Sequence, residues 1–240
     1  NGGVFRATDG LLARFGPDRV VDTPLAEALI LGTAVGLAAS GMVPVPEIQF
    51  LGFSYQAFHQ LAGQVARLRF RSNGRFDAPI TIRAPFGGGV RTPELHSEAI
   101  EGQLANIPGL KIVLPGSARD AAGLLTAAIR DPDPVVFLEP KRLYRAVREE
   151  VPDDGAGLPL DRCFVRREGR DITLVAWGAM VSEAMAAAVT LEAEGVDAAV
   201  IDVATLTPLD ATTMLDSVAS TGRCIVAHEA PLTGGFGGEI

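Results

Sequence analysis

Cysteine is scarce in this 240-residue chain: Cys163 and Cys224 are the only two, far apart and in no Cys-x-x-Cys pair. A disulfide framework is therefore not expected, and a reducing compartment fits, either the cytoplasm or an equivalent such as the mitochondrial matrix. A long apolar run is missing too. The nearest, 28–45, is broken by Gly32, Gly36, Gly41 and Pro44, so no segment is expected to span a bilayer. Positive charge is in deficit, with a formal net charge of -8. A nucleic-acid binder would carry a basic face. The one basic cluster, Arg67 through Arg75, reads instead as the polar face and end of a helix. Histidine is rare, and His59, His96 and His228 lack the spacing of zinc ligands.

What is present is a globular composition, 48% hydrophobic and 21% charged. That is enough for one large or two small domains, with some burial expected between subunits. Apolar β-rich runs alternate with Ala/Leu-rich stretches. The pattern predicts helices at about 24–40, 55–70, 118–130, 181–195 and 209–220. It predicts strands near 43–50, 79–84, 111–114, 134–139, 171–177, 198–203 and 224–227. Ser117 is placed to cap the 118–130 helix, with Asp120 in its first turn. Such alternation implies an α/β fold, a mostly parallel sheet with helices on both faces. Residues 141–170, charged and turn-rich, break the pattern. They are expected to link a first domain, 1–140, to a second, 171–240. The chain opens on Asn1-Gly2-Gly3 and closes on Gly237-Gly238-Glu239-Ile240, and is expected to be a piece truncated at both ends.

Glu27 is the only charged side chain between Thr23 and Pro46. The helix around it is apolar on every side, which predicts burial. Gly32 and Gly36 would let another backbone approach. A carboxyl in that setting is costly unless it is paired or protonated. Two readings stand. A first-turn acid favours the helix dipole, with Thr23 as cap and Pro24 as the first helical residue. Alternatively, Glu27 is a functional buried acid.

A resemblance sharpens this. Asp22-Thr23-Pro24-Leu25-Ala26-Glu27, Gly32, Gly36 and Glu47-Ile48-Gln49-Phe50 resemble the pyrimidine-binding domain of beta subunits of thiamine-diphosphate-dependent 2-oxo acid dehydrogenases. The likeness runs on through Arg83–Gly89, His96-Ser97, Pro108–Lys111, Arg130–Pro134, Glu139-Pro140-Lys141, Leu143-Tyr144-Arg145 and Leu174–Gly178. It ends in His228–Phe236, so it covers nearly the whole chain in order. It implies a pyrimidine-binding domain followed by an incomplete α/β domain of transketolase C-terminal type.

By this resemblance Glu27 bonds the aminopyrimidine of thiamine diphosphate and promotes loss of the thiazolium proton. A carboxyl kept protonated by burial can donate such a bond. The cofactor then serves as electron sink while carbon dioxide leaves, and the acyl group passes to a lipoyl group on the core acyltransferase. Leu25, Gln49 and Phe53 match residues near the pyrimidine ring, and His96 matches a histidine that assists lipoyl transfer. Main-chain carbonyls of Ile80, Ala128, Asp131 and Asp133 match a structural monovalent-cation site, possible for potassium. Two departures stand out: His59 replaces a usual aspartate, and Ala99-Ile100 alters the segment after His96, which bears on substrate preference and lipoyl docking.

The chain has no Gly-Asp-Gly signature for the magnesium that holds the diphosphate. Gly87-Gly88-Gly89 and Gly234–Gly238 read as flexible loops, not as a dinucleotide fingerprint. The diphosphate and magnesium are thus expected on an alpha subunit, in a heterotetramer. Leu143-Tyr144-Arg145 and His228–Phe236 favour a branched-chain 2-oxo acid, with pyruvate or acetoin as alternatives. A transketolase-like enzyme and a non-catalytic assembly subunit are the other readings.

Overall fold

The computed structural model describes residues 2–146 and 148–240. A short helix, α1 (Leu11–Phe15), lies on the surface and buries none of its side chains. The long apolar helix, α2 (Glu27–Ala39), starts later than Thr23 and Pro24 suggest. The Ala26 amide bonds back to the Pro24 carbonyl at 2.9 Å, and Ala26 is extended at φ −144°. That tight turn uses up the amide a continuing helix would need, so Thr23 caps nothing and Glu27 becomes the first helical residue.

Residues 43–50 do not form the expected strand. Only Glu47 bridges, in parallel, to Arg83. Pro44 and Pro46 have no N–H to give. Their carbonyls accept from Thr81 and Arg83 at 3.2 and 2.9 Å, and Ile48 donates back to Arg83 at 2.8 Å. The segment lies along the sheet edge without completing a ladder. The helix expected over 55–70 is broken into four pieces: a 3₁₀ turn Leu51–Ala57, α3 (Phe58–Gln60), a π turn Leu61–Val65 and α4 (Leu68–Arg71). In the π turn the Ala66 amide reaches five residues back to Leu61 at 3.0 Å. That inserts one extra residue and rotates everything after it.

β1 (Thr81–Phe86) is buried along its whole length. α5 (Glu101–Ala105) follows, unforeseen, then β2 (Lys111–Val113). α6 (Ala118–Arg130) has the predicted bounds and cap, with the Ser117 hydroxyl accepting from the Asp120 amide at 3.1 Å. Its Leu124 and Ala128 pack with Val135 and Phe137 of β3 (Val135–Pro140). β4 (Phe164–Arg167) lies inside 141–170, where no element was expected. Then come β5 (Ile172–Ala176), α7 (Met180–Ala193), β6 (Ala198–Asp202), β7 (Thr205–Thr207), α8 (Ala211–Thr221) and β8 (Cys224–Ala227).

These strands form two four-stranded sheets, ordered β1-β3-β2-β7 and β4-β6-β5-β8. β1, β3 and β2 are parallel, as are β6, β5 and β8; β7 and β4 are the antiparallel edges. β7 follows β6 in the chain yet pairs with β2, so the second half adds a strand to the first sheet. One buried cluster runs across this seam, from Leu31 and Leu138 to Val175, Trp177 and Leu206. At roughly 25 cal/mol per Å² of apolar surface, such a seam stabilises the two sheets as one body. No helix among the described residues is long and apolar enough to cross a membrane.

Candidate active site

The N-terminus of α2 sets out one half of the candidate site. Glu27 is 6% exposed. Five carboxylates are buried among the described residues: Glu27, Glu101, Asp120, Glu139 and Asp202. Four have donors. Glu101 accepts from Trp177 Nε1, Glu139 from Arg83 and Tyr144, Asp202 from Arg166, and Asp120 from Ser117 and Arg166. Glu27 alone has no hydrogen bond or ion pair among the described residues. Around it the helix is not covered as the apolar pattern predicted. Leu25 is 75% exposed and Leu29 59%, and Gly36 lies on the same open side. The apolar all-round helix is buried on one face and bare on the other, with the carboxyl at its rim.

The second half is aromatic. Phe53, in the 3₁₀ turn, sits edge-on to the His96 imidazole with ring centroids 5.2 Å apart. Phe50 meets the same imidazole at 4.6 Å. His96 rides on an irregular loop whose approach depends on Gly52, since a Cβ there would stand 2.1 Å from the Leu95 carbonyl oxygen. Its Nδ1 lies 3.1 Å from the Glu94 carbonyl. Gln49 is half-buried, two residues past the Glu47 bridge. The structure thus brings Phe53 and His96 into contact. It places Leu25 on the open surface.

Six neighbouring residues were not assigned a role from sequence. Lys141, at the end of β3, is 6% exposed and donates to the main-chain oxygen of His96, with its ammonium 5.2 Å from the Phe50 ring centre. Burial pulls its pKa down, opposed by the Glu229 charge. Glu229 accepts from the Gly88 amide at 3.2 Å, so the triple-glycine loop holds the chain's own carboxylate. Beneath lies a cluster of Arg83 with Glu47 and Glu139, at 3.1 and 2.7 Å. Tyr144 donates to Glu139, and burial pushes its pKa up. The signal available for these was weak: they fall in the recognised stretches Glu47–Phe50, Arg83–Gly89, Glu139–Lys141, Leu143–Arg145 and His228–Phe236, but charged residues at strand ends are ordinary.

The four cation candidates share one corner of the first sheet. Ile80 precedes β1, Ala128 is in the last turn of α6, and Asp131 and Asp133 are in the loop to β3. The Ala128 carbonyl already accepts from the Thr81 hydroxyl at 3.0 Å and the Asp131 amide at 3.3 Å; that of Ile80 accepts from Val135 at 3.0 Å. Lys111 places its ammonium 2.6 Å from Asp131 and 3.7 Å from Asp133. Two surface clefts, about 450 and 730 Å³, flank Lys111 and Pro208; neither is lined by Glu27, Phe53 or His96. Among the described residues no three His, Cys, Asp or Glu side chains cluster as metal ligands would.

Two mostly parallel α/β sheets, the first with a buried acid at a helix start, are the arrangement expected of a transketolase-type pair of domains. Family models agree: residues 1–147 match the transketolase pyrimidine-binding domain and residues 161–240 the transketolase C-terminal domain. The chain is 52% identical over 240 residues to the pyruvate dehydrogenase E1 component subunit beta of Bacillus subtilis. It is 53% identical to that of Staphylococcus epidermidis; both alignments cover all of this chain and 74% of the relative. A solved split-gene transketolase, an inactive beta-four tetramer, superposes with a TM-score of 0.80 at 28% identity, covering 97% of this chain and 72% of that one. The chain belongs to the beta-subunit family of thiamine-diphosphate-dependent 2-oxo acid dehydrogenases.

Proposed function

We propose that this chain is the half-site of a 2-oxo acid decarboxylase that receives the pyrimidine end of thiamine diphosphate. The single observation that carries the reading is Glu27, the one buried carboxylate without a partner among the described residues, at the rim of a bare apolar face. A group with a ring nitrogen and apolar edges fits there. Glu27 would bond that nitrogen, and Leu25, Gln49 and Phe53 would bound the ring. The cofactor, when bound, supplies the electron sink for loss of carbon dioxide. Glu27 holds or moves a proton at its carboxyl oxygen, the open face excludes water once a partner covers it, and His96 aids acyl transfer to a lipoyl group.

The partner is an alpha subunit, in a heterotetramer, carrying the diphosphate and magnesium. The absence of Gly-Asp-Gly in this sequence supports that division. It also accounts for Glu27, Phe53 and His96 lining neither of the two clefts beside Lys111: one wall of the site would be on the other subunit. The lipoyl-bearing acyltransferase core takes the product. The domains divide within 141–170, ahead of β4, and the scarcity of cysteine supports a reducing compartment, the cytoplasm or the mitochondrial matrix. Potassium, when bound, would be held by main-chain carbonyls of Ile80, Ala128, Asp131 and Asp133, the first two of which already accept hydrogen bonds within the chain. Replacing it with choline should lower thermal stability, and an unchanged melting temperature would remove the site.

The relatives at 52–53% identity favour pyruvate as substrate over the branched-chain acid expected from the Leu143–Arg145 and His228–Phe236 stretches. One methylene in a pocket is worth only about 1–3 kcal/mol, so the two substrates need a direct test. The full-length chain, co-expressed with its alpha subunit, is assayed with pyruvate and with 2-oxoisovalerate. A higher kcat/KM for pyruvate supports the proposal. A higher value for 2-oxoisovalerate restores the branched-chain reading, and turnover by the chain without an alpha subunit sinks the half-site.

A further inference from the structure

Lys141 is a buried ammonium with no carboxylate within ion-pair distance among the described residues. Burying an unpaired charge is costly, so its place needs a reason. Its contacts converge on one target. The ammonium donates to the His96 main-chain oxygen and lies 5.2 Å from the centre of the Phe50 ring, which also meets the His96 imidazole at 4.6 Å and the Phe5 and Phe53 rings.

Besides Lys141, the loop that carries His96 is held by the close approach of Leu95 and Glu98 to Gly52, by the Gly88–Glu229 bond and by the two phenylalanine rings. It contains no helix or strand, and Arg91 and Leu95 both take left-handed conformations, φ 50° and 69°. Its own backbone bonds are few: the His96 amide to Pro93 at a long 3.4 Å, and Gly87 to the Glu98 carbonyl at 3.0 Å. Conformations of this kind persist only where the surroundings over-determine them. The charged groups facing this corner are few. Glu229 approaches Lys141 from the second half of the chain while bonded to Gly88, and Arg142 turns away to Glu183.

We infer that Lys141 is a positioning residue: its ammonium ties the loop through the His96 carbonyl, and so fixes the imidazole edge-on against Phe50 and Phe53. The inference deepens the proposed function, because it rests on His96 serving acyl transfer. A hydrogen bond from an ammonium to a carbonyl oxygen is stronger than one from a neutral donor. Lys141→Met keeps the apolar stem and removes only the tether.

The test uses the full-length chain assembled with its alpha subunit. With ¹³C-labelled histidine in this chain and an unlabelled alpha subunit, the imidazole signals of His59, His96 and His228 are assigned by substitution. In Lys141→Met the His96 signal should move while the other two stay. Acyl transfer to a lipoyl domain should fall about tenfold, roughly 1.4 kcal/mol, while decarboxylation with ferricyanide as acceptor stays within about twofold. Lys141→Arg should recover part of the transfer rate. An unmoved His96 signal, or an equal fall in both rates, overturns the inference. If the signal moves but neither Lys141→Met nor His96→Gln alters transfer, the tether stands and the role proposed for His96 falls.

Discussion

The seam between the two sheets and the rim of α2 both bury carboxylates, and they treat them oppositely. In the seam Arg166 bridges Asp120 and Asp202, at 2.6 Å to the latter, and Glu101 takes the Trp177 indole N–H at 3.1 Å. Each of those acids takes a donor from the chain on one carboxyl oxygen, while Glu101 Oε2 and Asp202 Oδ1 stay buried without one. At the rim Glu27 has no partner, and Leu25 and Leu29 beside it are bare. Where the fold needs a buried acid it supplies a donor within the chain. Where it does not, the complement is expected from outside.

The comparison breaks most visibly at Arg166. Arg166→Met leaves buried Asp202 without a donor and Asp120 with Ser117 alone, and should cost about 3 kcal/mol, the low end for a broken buried pair, because the arginine is partly exposed and Asp202 can take up a proton. Urea unfolding measures it; a loss near zero would make the seam no tighter than the rim. Next comes Glu101→Leu, which leaves the Trp177 N–H buried and unpaired, at a cost of about 1–3 kcal/mol. Trp177 is the only tryptophan in the chain, so its emission reports the change directly.

A smaller effect sharpens the same contrast through pH. Burial, countered by Arg166, pushes the Asp202 carboxyl up to about 7 from 3.8. The folded state therefore holds a proton that the unfolded state has released between these values. Stability from this group falls as pH rises from about 4 to about 7, by at most about 1.4 kcal/mol per unit. Asp202→Asn should flatten that slope in denaturation followed over pH 4–8. An unchanged slope would mean that Asp202 is ionised throughout.

Sequence made part of this legible. α6 and β8 fall at their predicted bounds, because local signals fix them: the Ser117 cap at one, a compact β-rich run at the other. β7 and β4 were not foreseen. Three residues, Thr205–Thr207, become a strand only because β2 lies beside them, and β4 is recruited by β6 from a stretch with turn-like composition. The prolines at 44 and 46 explain the strand that did not form. At the site, Glu27 was conspicuous as one charge in an oily segment, and its burial follows. Lys141 and Glu101 were not, since each sits among other polar residues and only folding buries it. The exposure of Leu25 was also hidden, because apolar sequence does not distinguish a core from a face awaiting a partner.

The most direct measurement is Glu27→Gln in the assembled alpha–beta enzyme, followed by both decarboxylation rate and thermal unfolding. With no partner to lose within the chain, the melting temperature should stay within about 2 °C, while the rate falls at least about 100-fold. A rate within about threefold of the parent, or a melting temperature lowered as far as in Arg166→Met, would contradict the assignment of Glu27 as the cofactor-facing acid.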